Sequence, residues 1–408
     1  MAREGMRVGI IGAGPAGIMA AIEAARQGAQ VWLFDTNAMV GRKLLVTGNG
    51  RCNISNEYAG PERYVCADAR FLDVVFARFG QPETIAYLRE LGIPTRATPD
   101  GWCYPLSNSA ATVADALATA LDLAGVRVHL KTKIENASTR GQGWSLIAGG
   151  GSHSYEVDRI IVACGGKAYP SLGSKGAFFP VLVRLGHRIV PIRPALVPIN
   201  GDMRHLQRLQ GVRHDVGLIL REGDRVLGRE VGNVMFTQHG LSGPAAMNLS
   251  HHVSAHPKGS LTIKVDLLPH HRDALLRVLD TMRTTAMPVR VALGAVLPAK
   301  VPPVTLSLVG LPEDVVLDDL AQVDLDRLLH QLEHVCIKVT GTRGFKHAQL
   351  SSGGVAVNEV ESHTMASRCA PGLYLCGEVL DVIGPCGGYN LQFALMSGII
   401  AGRAAATC

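Results

Sequence analysis

Three segments of this 408-residue chain carry residue types that could do chemistry together. The first is Gly12-Ala13-Gly14-Pro15-Ala16-Gly17, a G-x-G-x-x-G run. It lies between an apolar, β-branched stretch (Arg7–Ile11) and an alanine-rich one (Ala16–Gln27). In such a run the first glycine permits a tight turn. The second lets a pyrophosphate approach the backbone, and the third lets helix pack on strand. The helix start then offers free N–H groups and a positive dipole end to the phosphates. Asp35 follows the next apolar run, Gln30–Phe34, at the spacing of an acid that accepts from ribose hydroxyls. This pattern predicts a dinucleotide site without choosing between a flavin and a nicotinamide.

The choice comes from the other end of the chain. Gly372–Glu378 reads as a strand ending on Gly377 and an acid, Glu378. Gly387-Gly388-Tyr389-Asn390-Leu391-Gln392 then opens an apolar helix running through Ala401. An acid at a strand end can hold polyol hydroxyls. A helix that starts beyond two glycines can aim its N-terminus at an electron-rich ring edge, as on a flavin. The third segment, Gly41–Asn53, packs glycines, cations and asparagines into a backbone-rich loop suited to a diphosphate and a ring with many acceptors. FAD is the cofactor these segments point to.

The elements that must position these residues follow from the patterning. Arg7–Ile11, Ala16–Gln27 and Gln30–Phe34 form a βαβ unit, which implies a parallel sheet. Phe71–Leu91 and Asp115–Leu123 read as helices. Val126–Lys131 and Arg159–Ala163 read as strands, with a polar, Gly-rich hairpin from Ile134 to Val157 between them. After Ile189 prolines cluster, and short alternating strands run to Leu268. Helical patches broken by Pro298, Pro302 and Pro303 follow, and the glycine-rich style returns from Gly341. The expected fold is α/β: a Rossmann-like, glutathione-reductase-like FAD-binding domain from residues 1–190 and 342–408. An insertion, 191–341, is β-rich over 191–268 and mainly helical over 269–341.

Together the segments resemble the BaiN/YhiN-like FAD-dependent flavoproteins over nearly the whole chain. The family's patterns fall on Gly41–Asn53, Ala163–Pro170, Pro194–Pro198, Gly353–Val360, Thr364–Ser367, Pro371–Asp381 and Gly387–Gln392. The resemblance implies that Gly12, Gly14, Ala16 and Asp35 hold the ADP half of FAD, with Ile134 at the adenine. It puts Arg42, Lys43, Thr47, Gly48, Arg51, Cys52 and Asn53 along the diphosphate and ring. It puts Ala163, Gly165, Gly166 and Tyr169 over the cofactor. Gly377, Glu378, Asp381, Gly388, Tyr389, Asn390, Leu391 and Gln392 would hold ribityl and isoalloxazine. Two departures stand out. The family's F-T-H-x-G run is here Phe236-Thr237-Gln238-His239-Gly240, and its G-D-G-Y is Gly176-Ala177-Phe178-Phe179.

The resemblance also implies an oxidoreductase with one of three activities: reduction of a steroid-like enone, reduction of uridine in large-subunit (23S) ribosomal RNA, or oxidation of a small amine or amino-ketone with dioxygen as acceptor. The first two need hydride at an electron-poor alkene carbon and a proton from an acid. Cys386 and His239 are the candidates for that acid. With no second G-x-G-x-x-G, NADH or NADPH is expected as a transient reductant, in ping-pong turnover. A flavin-bound sensor without turnover is the non-enzymatic alternative.

Bulk properties narrow the rest. The chain is 47% hydrophobic and 18% charged, enough to bury a core and too sparsely charged for disorder. The net charge of +6 is mild, but nine arginines against four acids lie between Arg184 and Arg229, a feature that favours an RNA partner only if they share a face. Nine cysteines without a C-x-x-C pair fit reduced thiols in a cytoplasm and no structural metal. Met1–Gly5 is short and mixed, and no apolar run reaches membrane-spanning length, so neither targeting segment nor membrane partner is expected. Oligomeric state is left open.

Overall fold

The computed structural model describes residues 5–257 and 259–407. Contacts divide the chain into two units, Met1–Arg193 with Gln349–Cys408, and Pro194–Ala348.

The first unit opens with β1 (Arg7–Ile11), α1 (Pro15–Arg26) and β2 (Gln30–Phe34). Short strands β3 (Ser55–Asn56) and β4 (Val65–Cys66) lead to α2 (Ala69–Arg78) and α3 (Gln81–Glu90). The stretch Phe71–Leu91 is thus two helices. Phe79 and Gly80 are extended, and Pro82 restarts the second helix in its first turn, where a missing N–H costs nothing. Next come β5 (Thr95–Ala97), β6 (Trp102–Pro105), α4 (Ala110–Leu123) and β7 (Arg127–His129). Ser109 caps α4, accepting from the Thr112 N–H, so that helix begins before Asp115. A meander of β8 (Ile134–Arg140), β9 (Gly143–Ala148) and β10 (His153–Val157) follows, then β11 (Arg159–Val162), α5 (Phe179–Arg184) and β12 (Ile189–Ala195).

The second unit contains β13 (Ile199–Gly201), β14 (Arg213–Glu222), β15 (Arg225–Thr237), β16 (Gly240–Ser242), α6 (Pro244–Ala255) and β17 (Leu261–Asp266). Helices α7 (Arg272–Met282), α8 (Val289–Gly294), α9 (Val301–Leu308) and α10 (Gln322–Glu333) precede β18 (Val335–Thr342). The strands close a barrel in the order β13-β16-β15-β14-β17-β18. Closure leaves no bare strand edge. β18 lies in the stretch read from sequence as mainly helical. Its first six residues alternate strictly buried and exposed, the period of a strand, and it bridges β17 and β13 to close the ring.

The chain then returns to the first unit through β19 (Leu350–Val355), which pairs with β12, and adds β20 (Leu373–Leu375), β21 (Val382–Ile383) and α11 (Tyr389–Ala406). The main sheet runs β20-β11-β1-β2-β7, all parallel. It is a Rossmann-like α/β sheet assembled from both ends of the chain. Helix α11 lies on α1 at close range. A side chain at Gly398 or Gly402 would collide with the carbonyl oxygens of Ala16 and Ala20. No helix among the described residues is long and apolar enough to cross a membrane.

Candidate cofactor and active site

In an open parallel sheet, ligands bind beyond the carboxyl ends of the strands, where the strand order reverses. Here the reversal is at β1, flanked by β2 and β11. Three sequence-predicted motifs leave the sheet at that edge. Gly12–Gly17 follows β1, Asp35 follows β2, and Ala163–Gly166 follows β11. Gly377 and Glu378 follow β20, at the same end.

The first turn is tightly built. Gly12 has φ +106°, and a side chain there would strike the Ala163 carbonyl. Gly17 packs on the Gly12 carbonyl so closely that no Cβ fits. Gly14 differs: it is extended at φ −78°, and a Cβ added to it meets nothing within 4 Å. The space over the α1 N-terminus is therefore kept open by a missing side chain, as a pyrophosphate cradle requires. The bare backbone at Gly14 fits the diphosphate of FAD. Ala16, in the first turn of α1, is buried, and its methyl lies 2.7 Å from where a Gly377 side chain would begin.

Asp35 organises the neighbouring loop. One carboxylate oxygen accepts the Ala13 N–H at 2.7 Å, and the other accepts from the Asn37 backbone and side chain at 2.7 and 2.9 Å. Arg42 donates to Asn37 at 2.8 Å, and the Gly41 N–H donates to the Ala13 carbonyl at 2.8 Å. The second loop is thus stitched to the first. Ile134 is buried at the start of β8, two residues past Thr132, whose N–H donates to the Asp35 carbonyl.

Lys43 reaches across the sequence to Glu378 at 2.7 Å, both side chains mostly shielded. The other Glu378 oxygen accepts the Ser351 N–H at 2.9 Å, and the Ser351 hydroxyl accepts from the N–H groups of Lys167 and Ala168. A side chain at Gly166 would meet Ser351 Oγ at 2.6 Å and Glu378 Oε1 at 2.7 Å. Residues 43, 166, 351 and 378 therefore form one polar cluster. Ser351 is a member that pattern reading missed, because a serine pair in a strand carries no spacing signal. Gly165 and Tyr169, on the same loop, both take left-handed φ, +70° and +54°. Strain of that kind at a non-glycine residue costs about 1–3 kcal/mol and clusters at ligand sites.

The loop from Thr47 to Asn53 is left-handed at Gly48, Asn49, Gly50 and Cys52. Thr47 donates to the Leu44 carbonyl at 2.6 Å. Arg51 stacks over Tyr104, 4.7 Å from its ring centre, and donates to its hydroxyl. Cys52 is fully buried, and burial pushes its thiol up to about 11 although a contact from Thr47 opposes the rise. It is therefore a neutral packing group.

At the C-terminal segment, several expected ring contacts are engaged in holding the protein together. Gly388, with φ +94°, caps α11 and lies against the Ser55 carbonyl, and its would-be Cβ lies 2.7 Å from the Asn53 side-chain amide. Asn390 spends its amide on Gly384 and Pro385, latching the loop before the helix. Gln392 is fully buried, bonded to Ser55 and Thr84 at 2.8 Å each. The Asn390 and Gln392 side chains are thus engaged with protein partners. Tyr389 is buried, its carbonyl accepting from the Tyr64 hydroxyl, and Leu391 packs at the edge of the core. Asp381 accepts the Gly353 N–H at 3.0 Å, and burial raises its carboxyl above the usual range despite that bond.

The two acid candidates fall in different units. Cys386 is half-buried directly before the glycine pair. His239 is exposed in the turn between β15 and β16 of the barrel unit.

A third wall of the site went unread in the sequence. Strand β6 alternates, so Trp102 and Tyr104 share a face. Tyr104 lies against Gly48, and the Trp102 indole lies 2.8 Å from where a Gly387 side chain would begin. The run Gly101–Tyr104 is short and aromatic, without glycine spacing to mark it.

Comparison with known proteins bears on this arrangement. The family model described as HI0933-like protein Rossmann domain matches residues 6–404. The 3-dehydro-bile acid delta(4,6)-reductase of Clostridium scindens is 35% identical over 407 residues, covering 98% of this chain and 99% of that protein. The ribosomal RNA dihydrouridine synthase of Escherichia coli is 31% identical over 394 residues, 95% of each. Among solved structures, 3-ketosteroid delta1-dehydrogenase from Sterolibacterium denitrificans superposes with a TM-score of 0.52 at 12% identity, over 98% of this chain and 99% of that one, a likeness of fold alone. With a matched model spanning nearly every residue and a glycine cradle in place, the chain belongs to the HI0933-like Rossmann-domain family of FAD-dependent oxidoreductases.

Proposed function

We propose that the protein reduces an activated C=C bond, one conjugated to a carbonyl, with NADH or NADPH as transient donor. The observation that carries this reading is the shared chemistry of two relatives that align end to end with the chain. One is named for reducing the Δ4,6 bonds of a 3-dehydro bile acid, and the other makes dihydrouridine. In both, the alkene that is saturated lies in conjugation with a carbonyl. The acceptor here is a steroid-like enone or uridine in 23S ribosomal RNA.

Bound FAD would supply hydride transfer in both directions, from donor and to acceptor. The chain's own residues bind, orient and shield. The bare backbone at Gly14 and the α1 N-terminus take the diphosphate. Glu378, held by Lys43 and Ser351, presents a fixed carboxylate to polyol hydroxyls. The α11 N-terminus behind Gly388 favours negative charge at a ring edge. Cys386, in the same unit and next to that pair, is the favoured proton donor, with His239 as the alternative.

The test is anaerobic. The purified protein is mixed with NADH and then NADPH while the visible flavin bands are followed. Bleaching, followed by reoxidation on adding an enone steroid or 23S rRNA, is the expected result. A flavin that neither nicotinamide bleaches would overturn the reductase reading.

A further inference from the structure

The wall formed by β6 carries Trp102 and Tyr104. Its two aromatic side chains face the same way but are used differently. Tyr104 is buried, stacked under Arg51 and bonded to it, against the glycine loop at Gly48. Trp102 is only half-buried. Its Nε1–H makes no hydrogen bond among the described residues, and it is not one of the sealed, unpaired polar atoms there, which are Asn200 Oδ1 and His251 Nε2. A tryptophan N–H ordinarily finds a partner when it packs. Here the indole is held in place while its donor stays reachable.

The restraint comes from several sides. β6 pairs with β3, with Trp102 opposite Asn56. Asn56 donates to the Gly387 carbonyl at 2.9 Å, fixing the glycine pair against that strand. The indole edge, Nε1 and Cε2, lies over Gly387 at 2.8 and 3.1 Å from its would-be Cβ, so only glycine admits it. Tyr58, 52% exposed, extends the surface, its ring packed on Gly101 immediately before Trp102. The result is an aromatic platform with one free donor at its edge, beside the residues that open α11.

We propose that Trp102 recognises the acceptor, its indole taking a flat, conjugated carbonyl compound and its N–H donating to the carbonyl oxygen. This rests on the reductase reading above and names a specificity residue for it. Both acceptor sources share this chemistry, since a uracil ring and a 3-keto-4-ene are planar at the reacting end and carry a carbonyl in conjugation. When the alkene accepts hydride at its β carbon, negative charge gathers on that oxygen and the α carbon takes a proton. A donor aimed at the oxygen is then worth more than in the ground state.

The experiment is stopped-flow reoxidation of the dithionite-reduced holoprotein, normalised to bound flavin, for the unsubstituted chain, Trp102→Phe and Trp102→Leu. The probes are a 3-keto-4-ene steroid in one arm and a 23S rRNA transcript in the other. Trp102→Phe keeps the packing and loses the donor, so the second-order constant for the productive probe is expected to fall about tenfold. Trp102→Leu also loses the stacking face and is expected to fall about 100-fold. Equal constants in all three proteins with a productive probe overturn the role of Trp102 and leave the reductase reading standing. If neither probe reoxidises the unsubstituted protein, the reductase reading fails and this inference with it. The arm that responds identifies the source of the acceptor.

Discussion

Glycines 12 and 14 are two residues apart and do different work, which makes them a sharp pair of probes. Gly12 needs its positive φ and has the Ala163 carbonyl in the way of any side chain. Gly14 needs neither, because its backbone is ordinary and the space before it is empty of protein. Gly14→Val is therefore expected to fold, with an unfolding free energy within about 0.5 kcal/mol of the flavin-free parent's, and to be purified without flavin absorbance. Gly12→Val is expected to lose folded protein, since strain of about 1–3 kcal/mol adds to a backbone collision. A Gly14→Val protein that keeps its FAD would remove the phosphate role of the first loop. These glycines and Asp35 were legible because turn, helix and acid follow a fixed spacing. Cys52, Asn390 and Gln392 sit inside equally specific motifs, yet their side chains are turned into the protein. A motif marks a place in the fold, and only packing tells whether a side chain there faces ligand or core. Lys43 and Glu378 lie 335 positions apart, so nothing local could have paired them.

Among the elements, the contact between α1 and α11 matters most to the site. It joins the helix that follows the first glycine loop to the helix behind Gly388, and Ser397 of α11 accepts the Gly377 N–H at 3.0 Å. Gly398→Ala tests it. Helix propensity alone would favour alanine by about 1 kcal/mol. The added methyl would collide with the Ala16 carbonyl, which is backbone and cannot rotate aside. Overpacking of about 1–3 kcal/mol should win, and a lower urea midpoint with weaker flavin retention is the expected outcome. Stabilisation would show that the helices can separate at little cost. The α1 and β11 elements were readable from periodicity and flanking glycines. The closed barrel was not. Its strands announced themselves as short alternating runs, but the partner order depends on β18, which follows four helices. The β6 wall was missed for a related reason, since the site residues its aromatics meet, Gly48, Asn56 and Gly387, are 46 or more positions away in sequence.

For the whole molecule, histidines set a pH dependence. Burial holds His252 down to about 4, with His251 and His256 adding like charge, and burial also lowers His251, His187 and His129. A histidine whose folded value lies below its unfolded value of about 6.5 takes up protons more readily when unfolded. Its stabilisation is complete above about pH 6.5 and is lost as pH falls toward 4. Glu230, raised by burial, works in the opposite sense and opposes part of the loss. Urea midpoints should therefore drop between pH 7 and pH 4.5, and His252→Asn should flatten that slope. A midpoint that is level across this range would show that these rings stay hydrated.

The sheet order has a further meaning for a chain being made on a ribosome. Strands β1, β2, β7 and β11 emerge early, but the outer edge of β11 is paired by β20 and one face of α1 is packed by α11, both of which lie beyond the barrel unit in sequence. The barrel unit, one continuous stretch from Pro194 to Ala348, emerges complete while the first unit still waits for its end. During that interval the nascent protein carries an open strand edge and a glycine cradle without Glu378. Cofactor loading must then wait for Glu378 to emerge, and β11 stays open to stray pairing until β20 has followed it.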